Sequence, residues 1–311
     1  MKKLPLMLPL MLIFVLPAIK VNSQPRGMSK APTESITRKW LDIAYASLSP
    51  AQKLDIYLPE QGEGPFPVIL SIHGGAFRGG DKSDGQLTPM LEGLKRGYAV
   101  VSINYRMSGE AIFPAAVHDV KAAIRWIRAH AGEYHFDKDK IAAWGGSAGG
   151  HLCAMAGVSG EVTELEDLSL GNPEQSSRVQ AVVDWFGPTQ FLLMDEQFKA
   201  SGKGNPDHNE SGSPESLYLG QKITEVPARV AASSPETYIT ADDPPFLIQH
   251  GTDDQLVPVE QSIRFAEKVQ TIGQDKCTLI LLPGAKHGGP EFSTPENLNV
   301  VFDFLNRHLK R

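Results

Sequence analysis

The chain has 311 residues, enough for one large α/β domain or two small ones, and its composition (41% hydrophobic, 21% charged) is that of an ordinary globular protein. A formal net charge of -6 without a basic block argues against nucleic acid as a partner. The nine histidines show no H-x-x-x-H or similar ligand pair, so no catalytic metal is expected.

Met1-Lys2-Lys3 followed by the apolar stretch Leu4 to Ile19, which contains Pro5, Pro9 and Pro17, reads as a secretory signal peptide over 1–23. The run is short for a membrane span, so a secreted or periplasmic protein without stable membrane insertion is expected. Residues 24–37 are polar and read as a flexible arm. A single domain then fills 38–311. Trp40–Tyr45 and Leu54–Leu58 alternate as a hairpin of half-buried strands does. Val68–Ile72 is a fully apolar strand that ends in His73-Gly74-Gly75-Ala76-Phe77. A helix is expected from about Gln86 to Arg96, leading through Gly97 into the strand Ala99–Ile103. Pro114 stands where a first helical residue would, and Val117, Val120, Ile124 and Ile127 share one helical face, with Trp126 beside it.

The apolar run Lys140–Trp144 then enters Gly145-Gly146-Ser147-Ala148-Gly149 and a helix-compatible stretch. A strand running into a helix through G-x-S-x-G is a nucleophile elbow. A serine on so tight a turn is strained, and Gly145 and Gly149 relieve the crowding on either side. Val179–Trp185 is the next strand. The rhythm breaks over about 187–235, a polar insert expected to form a lid or pocket wall. It resumes with the strand Pro245–Gln249, a helix Val259–Ile272, the strand Cys277–Leu282 and a closing helix marked by Leu298, Phe302 and Leu305. Strand and helix alternate throughout, which predicts a mostly parallel sheet covered on both sides. Cys153 and Cys277, the only cysteines, fall in stretches that look buried and are expected to stay free thiols.

A serine hydroxyl needs a base, and the base needs an orienting carboxylate. Two loops past strand ends supply them: His250-Gly-Thr-Asp253-Asp254, and Pro283-Gly-Ala-Lys-His287. Serine, aspartate, histidine is the chain order of an α/β-hydrolase, and His73-Gly74-Gly75 matches the loop that supplies half of its oxyanion hole. The chain resembles α/β-hydrolase carboxylesterases of the hormone-sensitive-lipase-like group, and within them bacterial bifunctional feruloyl and acetyl-xylan esterases. Besides these motifs the likeness rests on Gly149-Gly-His-Leu152, Thr240-Ala-Asp-Asp-Pro-Pro-Phe246 and His287-Gly-Gly-Pro290.

The resemblance implies an α/β-hydrolase fold with about eight strands. It makes Ser147 the nucleophile, Asp254 the acid and His287 the base, with oxyanion-hole N–H groups from Gly75, Ala76 and Ala148 and no cofactor. Asp254 stands four residues beyond His250, as in related esterases, whereas Asp253 is expected to point away. His73 and Gly74 support the loop, and His73, His151 and His250 read as packed or bracing histidines. Phe77 and Trp185 are candidate pocket residues. Two departures from the family pattern are Gly146, where relatives usually carry Asp, and Ala76 in place of a third glycine. The implied substrate is a small ester or an acylated carbohydrate, with short-acyl or feruloyl groups. An amide hydrolase, formamidase or exopeptidase-like, uses the same triad and stays open. A catalytically inactive binding module is a further reading, opposed by the presence of all three residues. Nothing in the sequence gives the oligomeric state.

Overall fold

The computed structural model describes residues 29–310 apart from Glu161. The expected signal peptide and the start of the arm lie outside the described residues. The remainder of the arm is anchored rather than loose. Ala31 is buried, its N–H donates to the Ser83 carbonyl at 2.9 Å, and Lys30 bridges to Asp84.

One sheet of eight strands runs in the order β1-β2-β4-β3-β5-β6-β7-β8. β1 (Lys39–Ala44) and β2 (Lys53–Tyr57) form the antiparallel hairpin, and β2 is also antiparallel to β4 (Ala99–Ile103). From β4 onward the pairing is parallel through β3 (Phe66–Ile72), β5 (Phe136–Gly146), β6 (Ala181–Trp185), β7 (Phe246–Gly251) and β8 (Cys277–Leu282). β3, β4, β6 and β7 are buried along their whole length, which is why they read as unbroken apolar runs. The expectation of a mostly parallel eight-stranded α/β-hydrolase sheet holds.

Successive side chains feed opposite faces. Val68, Leu70 and Ile72 enter one core with α2 (Ala115–Ala129), α3 (Ala148–Val158) and α7 (Val259–Gln270). Ile69, Ala142, Trp144 and Leu247 enter the other with α8 (Pro295–Leu309) and the single turn α1 (Thr88–Leu91). The expected helix over 86–96 is therefore broken into short pieces. Pro89 starts a new turn, and Gly93 sits so close to the sheet that a Cβ there would lie 2.8 Å from Ile69 Cδ1. Pro114 caps α2 instead of opening it: its φ of -97° and ψ of 17° lie outside the helical basin, and its carbonyl accepts the His118 N–H.

The insert is helical and attached. α4 (Met194–Ser201), α5 (Pro214–Leu219) and α6 (Pro227–Ser233) alternate with turns, and Phe198, Tyr218, Leu219, Ile223 and Val230 are buried. Tyr218 stacks on Phe77 at 4.0 Å between ring centroids, tying α5 to the loop after β3. The register aligns the carboxyl ends of β3, β5, β6, β7 and β8 along one edge of the sheet. The insert and the loops that carry the candidate residues all leave from that edge.

Candidate active site

Ser147 sits between β5 and α3 with φ +57° and ψ -125°, a conformation that non-glycine residues avoid at a cost of about 1–3 kcal/mol. Hydrogen bonds hold it there: its N–H donates to Trp185 O at 2.9 Å and its carbonyl accepts from the His151 N–H at 3.0 Å. The flanking glycines are required by space. A Cβ on Gly145 or Gly149 would lie 2.5 or 2.0 Å from the Ile72 carbonyl oxygen, so the end of β3 could not approach the elbow.

That approach delivers the loop after β3. Gly75 has φ +123°, and Ala76 and Phe77 each have φ +57°, so Ala76 occupies a backbone position suited to glycine. The Ala76 and Ala148 N–H groups have no backbone acceptor among the described residues, and both residues line a cavity of about 300 Å³ with Ser147 and His287. Gly75 lies one residue behind that wall, its carbonyl accepting from the Arg78 and Gly79 N–H groups. Gly74 packs against the elbow: a Cβ there would meet Gly146 O at 2.6 Å. His73 is buried behind it. Its Nδ1 is 2.8 Å from Gly74 O, its ring stacks on Tyr105, and Tyr105 Oη donates to the His73 carbonyl.

His287 Nδ1 stands 2.7 Å from Asp254 Oδ2. Asp254 is 1% exposed, and its Oδ1 accepts the Leu256 and Val257 N–H groups at 2.8 and 3.0 Å. Burial alone would raise its pKa. Hydrogen bonds and charge from His250 and His287 outweigh burial and hold the carboxyl well below the usual carboxylate range. His250 braces the loop, with Nδ1 2.7 Å from Ser262 Oγ and Nε2 3.0 Å from Val257 O. Asp253 faces away and pairs with Lys203 at 3.2 Å, both about half exposed. The loops after β7 and β8 close tightly, since a Cβ on Gly251 would lie 2.3 Å from Ala285 O. An imidazole fixed by a buried carboxylate, on the wall that also holds a strained serine, is equipped to take that serine's proton.

The pocket candidates divide. Phe77 lines the cavity with Ser147, whereas Trp185 lines a separate cavity of about 350 Å³ with Phe186 and Phe292. An apolar strand end cannot announce in sequence which side its last ring takes. His151 is a packed histidine: its Nδ1 lies 2.7 Å from Pro188 O, and burial pushes its pKa down to about 4. Cys153 and Cys277 are buried free thiols.

Three features carried no sequence signal. Phe186, at φ +45°, packs its ring 4.6 Å from that of His287. Asp184 is buried beneath the elbow, its Oδ1 accepting the Gly187 N–H, and burial raises its pKa to about 7. His208 and Glu215 of the insert form a pair on the cavity wall.

A family model described as BD-FAE matches residues 54–269. The chain is 33% identical over 255 residues to a probable carboxylic ester hydrolase, LipM, of Mycobacterium tuberculosis, covering 79% of this chain and 55% of that protein. It spans between 55% and 61% of the length of LipM and of two further esterases of that organism, LipC and LipQ. Among solved structures it resembles a bifunctional GH43-CE of Bacteroides eggerthii, with 37% identity and a TM-score of 0.76 over 87% of this chain and 38% of that one. It also resembles a truncated carbohydrate esterase from gut microbiota, with 35% identity and a TM-score of 0.79 over 91% of this chain and all of that one. With the elbow, the loop after β3 and the His–Asp pair assembled at one sheet edge, and a family match across more than half its length, the chain belongs to the BD-FAE family.

Proposed function

We propose that the chain is a serine carboxylesterase that cleaves short-acyl or feruloyl esters of carbohydrate. The observation that carries this is the 2.7 Å contact between His287 and the buried Asp254, on a cavity shared with Ser147. Ser147 Oγ attacks the ester carbonyl while His287 Nε2 takes its proton. Asp254 keeps the imidazole in the tautomer with Nδ1–H and stabilises the imidazolium. The Ala148 and Ala76 N–H groups receive the oxyanion. His287 returns the proton to the departing alcohol, and water, deprotonated in turn by His287, releases the acid from the acyl-enzyme. The cavity volume falls at the low end of the roughly 300–1,000 Å³ of small-molecule sites, which supports a small acyl group. The relatives named as carboxylic ester hydrolase and carbohydrate esterase support an ester in preference to an amide. The basic start and apolar stretch of the first 23 residues support export.

Replacing Ser147 by Ala tests this directly. Turnover of p-nitrophenyl acetate is expected to fall at least about a thousandfold in a protein with an unchanged circular dichroism spectrum. Near-normal turnover would refute the assignment.

A further inference from the structure

The insert brings a second histidine–carboxylate pair to the cavity. His208 Nδ1 lies 3.1 Å from Glu215 Oε2, and the two residues are only 8% and 4% exposed. Their positions are built from several directions. Asp195, on α4, accepts the His208 N–H on Oδ1 at 2.8 Å and the Asn209 N–H on Oδ2 at 3.1 Å. The His208 ring stacks on Phe198, also on α4, at 5.7 Å. Glu215 is fixed in the first turn of α5, where Ser213 Oγ accepts the Ser216 N–H. Both members nevertheless border the cavity that holds Ser147 and His287.

Such a pair is costly to bury and contributes little to stability compared with apolar side chains of the same size. Its place on the catalytic cavity gives it a use. With Nδ1 taken by Glu215, Nε2 is the ring atom left for a ligand. Burial disfavours the charged ring, but Glu215, Asp195 and Asp207 outweigh that and raise its pKa above that of an ordinary histidine. With Nδ1–H on Glu215, Nε2 accepts from a hydroxyl when the ring is neutral and donates to one when it is charged. Arg78, Asn205, Asp207 and Gln255, all exposed, add polar groups around the same cavity.

We propose that His208, oriented by Glu215, is a specificity-determining residue that hydrogen-bonds a hydroxyl on the alcohol half of the ester, so that the insert selects esters of sugars over esters of plain alcohols. The inference rests on the esterase reading and names the moiety that the insert recognises. A sugar places hydroxyls on adjacent ring carbons and can satisfy several fixed polar groups at once. An alcohol without them leaves His208 Nε2 desolvated and without a partner, which is how a polar site rejects an analogue that lacks the matching group.

The test compares two acetates whose alcohols are both six-membered rings: a mono-O-acetylated methyl xyloside and cyclohexyl acetate, with acid release followed by titration on the full chain. His208→Phe keeps the stack on Phe198 and removes both ring nitrogens. Its kcat/KM for the xyloside is expected to fall about tenfold further than that for cyclohexyl acetate, chiefly through KM. Glu215→Gln, which still accepts from Nδ1, is expected to move the ratio in the same direction by less, and it carries the test if the Phe variant does not fold. Equal losses on both esters, or an unmoved ratio, would overturn the assignment of His208 while leaving the esterase reading intact. Hydrolysis of both esters by Ser147→Ala would overturn that reading and the inference with it.

Discussion

Exchanging Asp254 for Asn keeps the shape of the side chain but removes the charge that His287 Nδ1–H faces, whereas the same exchange at Asp253 removes only a half-exposed pairing with Lys203. Asp254→Asn is therefore expected to lower turnover by several orders of magnitude, and Asp253→Asn by less than about tenfold, measured on folded variants. The reverse ranking would move the acid one residue back. Asp184 gives a prediction of a different kind. Its pKa is raised to about 7 in the fold and is near 4 when unfolded, so between those values the folded state binds more protons. Stability is accordingly lost as pH rises through that window. Asp184→Asn keeps an acceptor for the Gly187 N–H and does not titrate. Its melting temperature relative to the parent is expected to rise by on the order of 5 °C between pH 5 and pH 8. A constant difference would show that Asp184 is charged throughout. The aspartate of the His250 loop was legible from its place after a strand. Asp184 was not, because an aspartate inside an apolar strand carries no mark of what lies over it.

At the scale of elements, α5 depends on Tyr218, which stacks on Phe77 and packs edge-on against Phe113 and His151. Its hydroxyl is buried without a hydrogen-bond partner among the described residues. Tyr218→Phe is therefore expected to be neutral or stabilising, and Tyr218→Ala to cost about 3–5 kcal/mol in denaturant titrations. A marked loss in the Phe variant would show that the hydroxyl is satisfied in solution. Elements whose local pattern agrees with their surroundings were readable: the apolar strands, the apolar row Val117, Val120, Ile124 and Ile127 of α2, and the elbow, whose glycines are dictated by the Ile72 carbonyl. The broken helix over 86–96 was not, because Gly93 answers to the sheet below it and not to its neighbours in sequence. The helices of the insert escaped for a related reason. Their buried residues meet partners such as Phe77, more than a hundred positions away, so no short-range period marks them.

For the whole molecule, the alternation of strand and helix and the mostly parallel sheet followed from the sequence, whereas the strand order came from the structure. What brings His208 to Ser147 is the path of the insert back over the sheet edge, which no local pattern encodes. The molecule also concentrates its backbone distortion. Of the seven non-glycine residues with positive φ among those described, four (Ala76, Phe77, Ser147 and Phe186) lie in the loops at the sheet edge that carries Ser147. Such conformations persist because the rest of the fold over-determines them. Under the proposed esterase reading, Ser147 exchanges thermal resistance for reactivity, and the two should separate on substitution. Ser147→Gly, free to adopt φ +57° without strain, is expected to be inactive and yet to melt about 2–4 °C above the parent protein in a thermal scan. An unchanged or lower melting temperature would mean that the elbow holds no recoverable strain. A rise would mark the other three residues as the next positions at which heat tolerance can be gained, and would predict that each gain is accompanied by slower turnover.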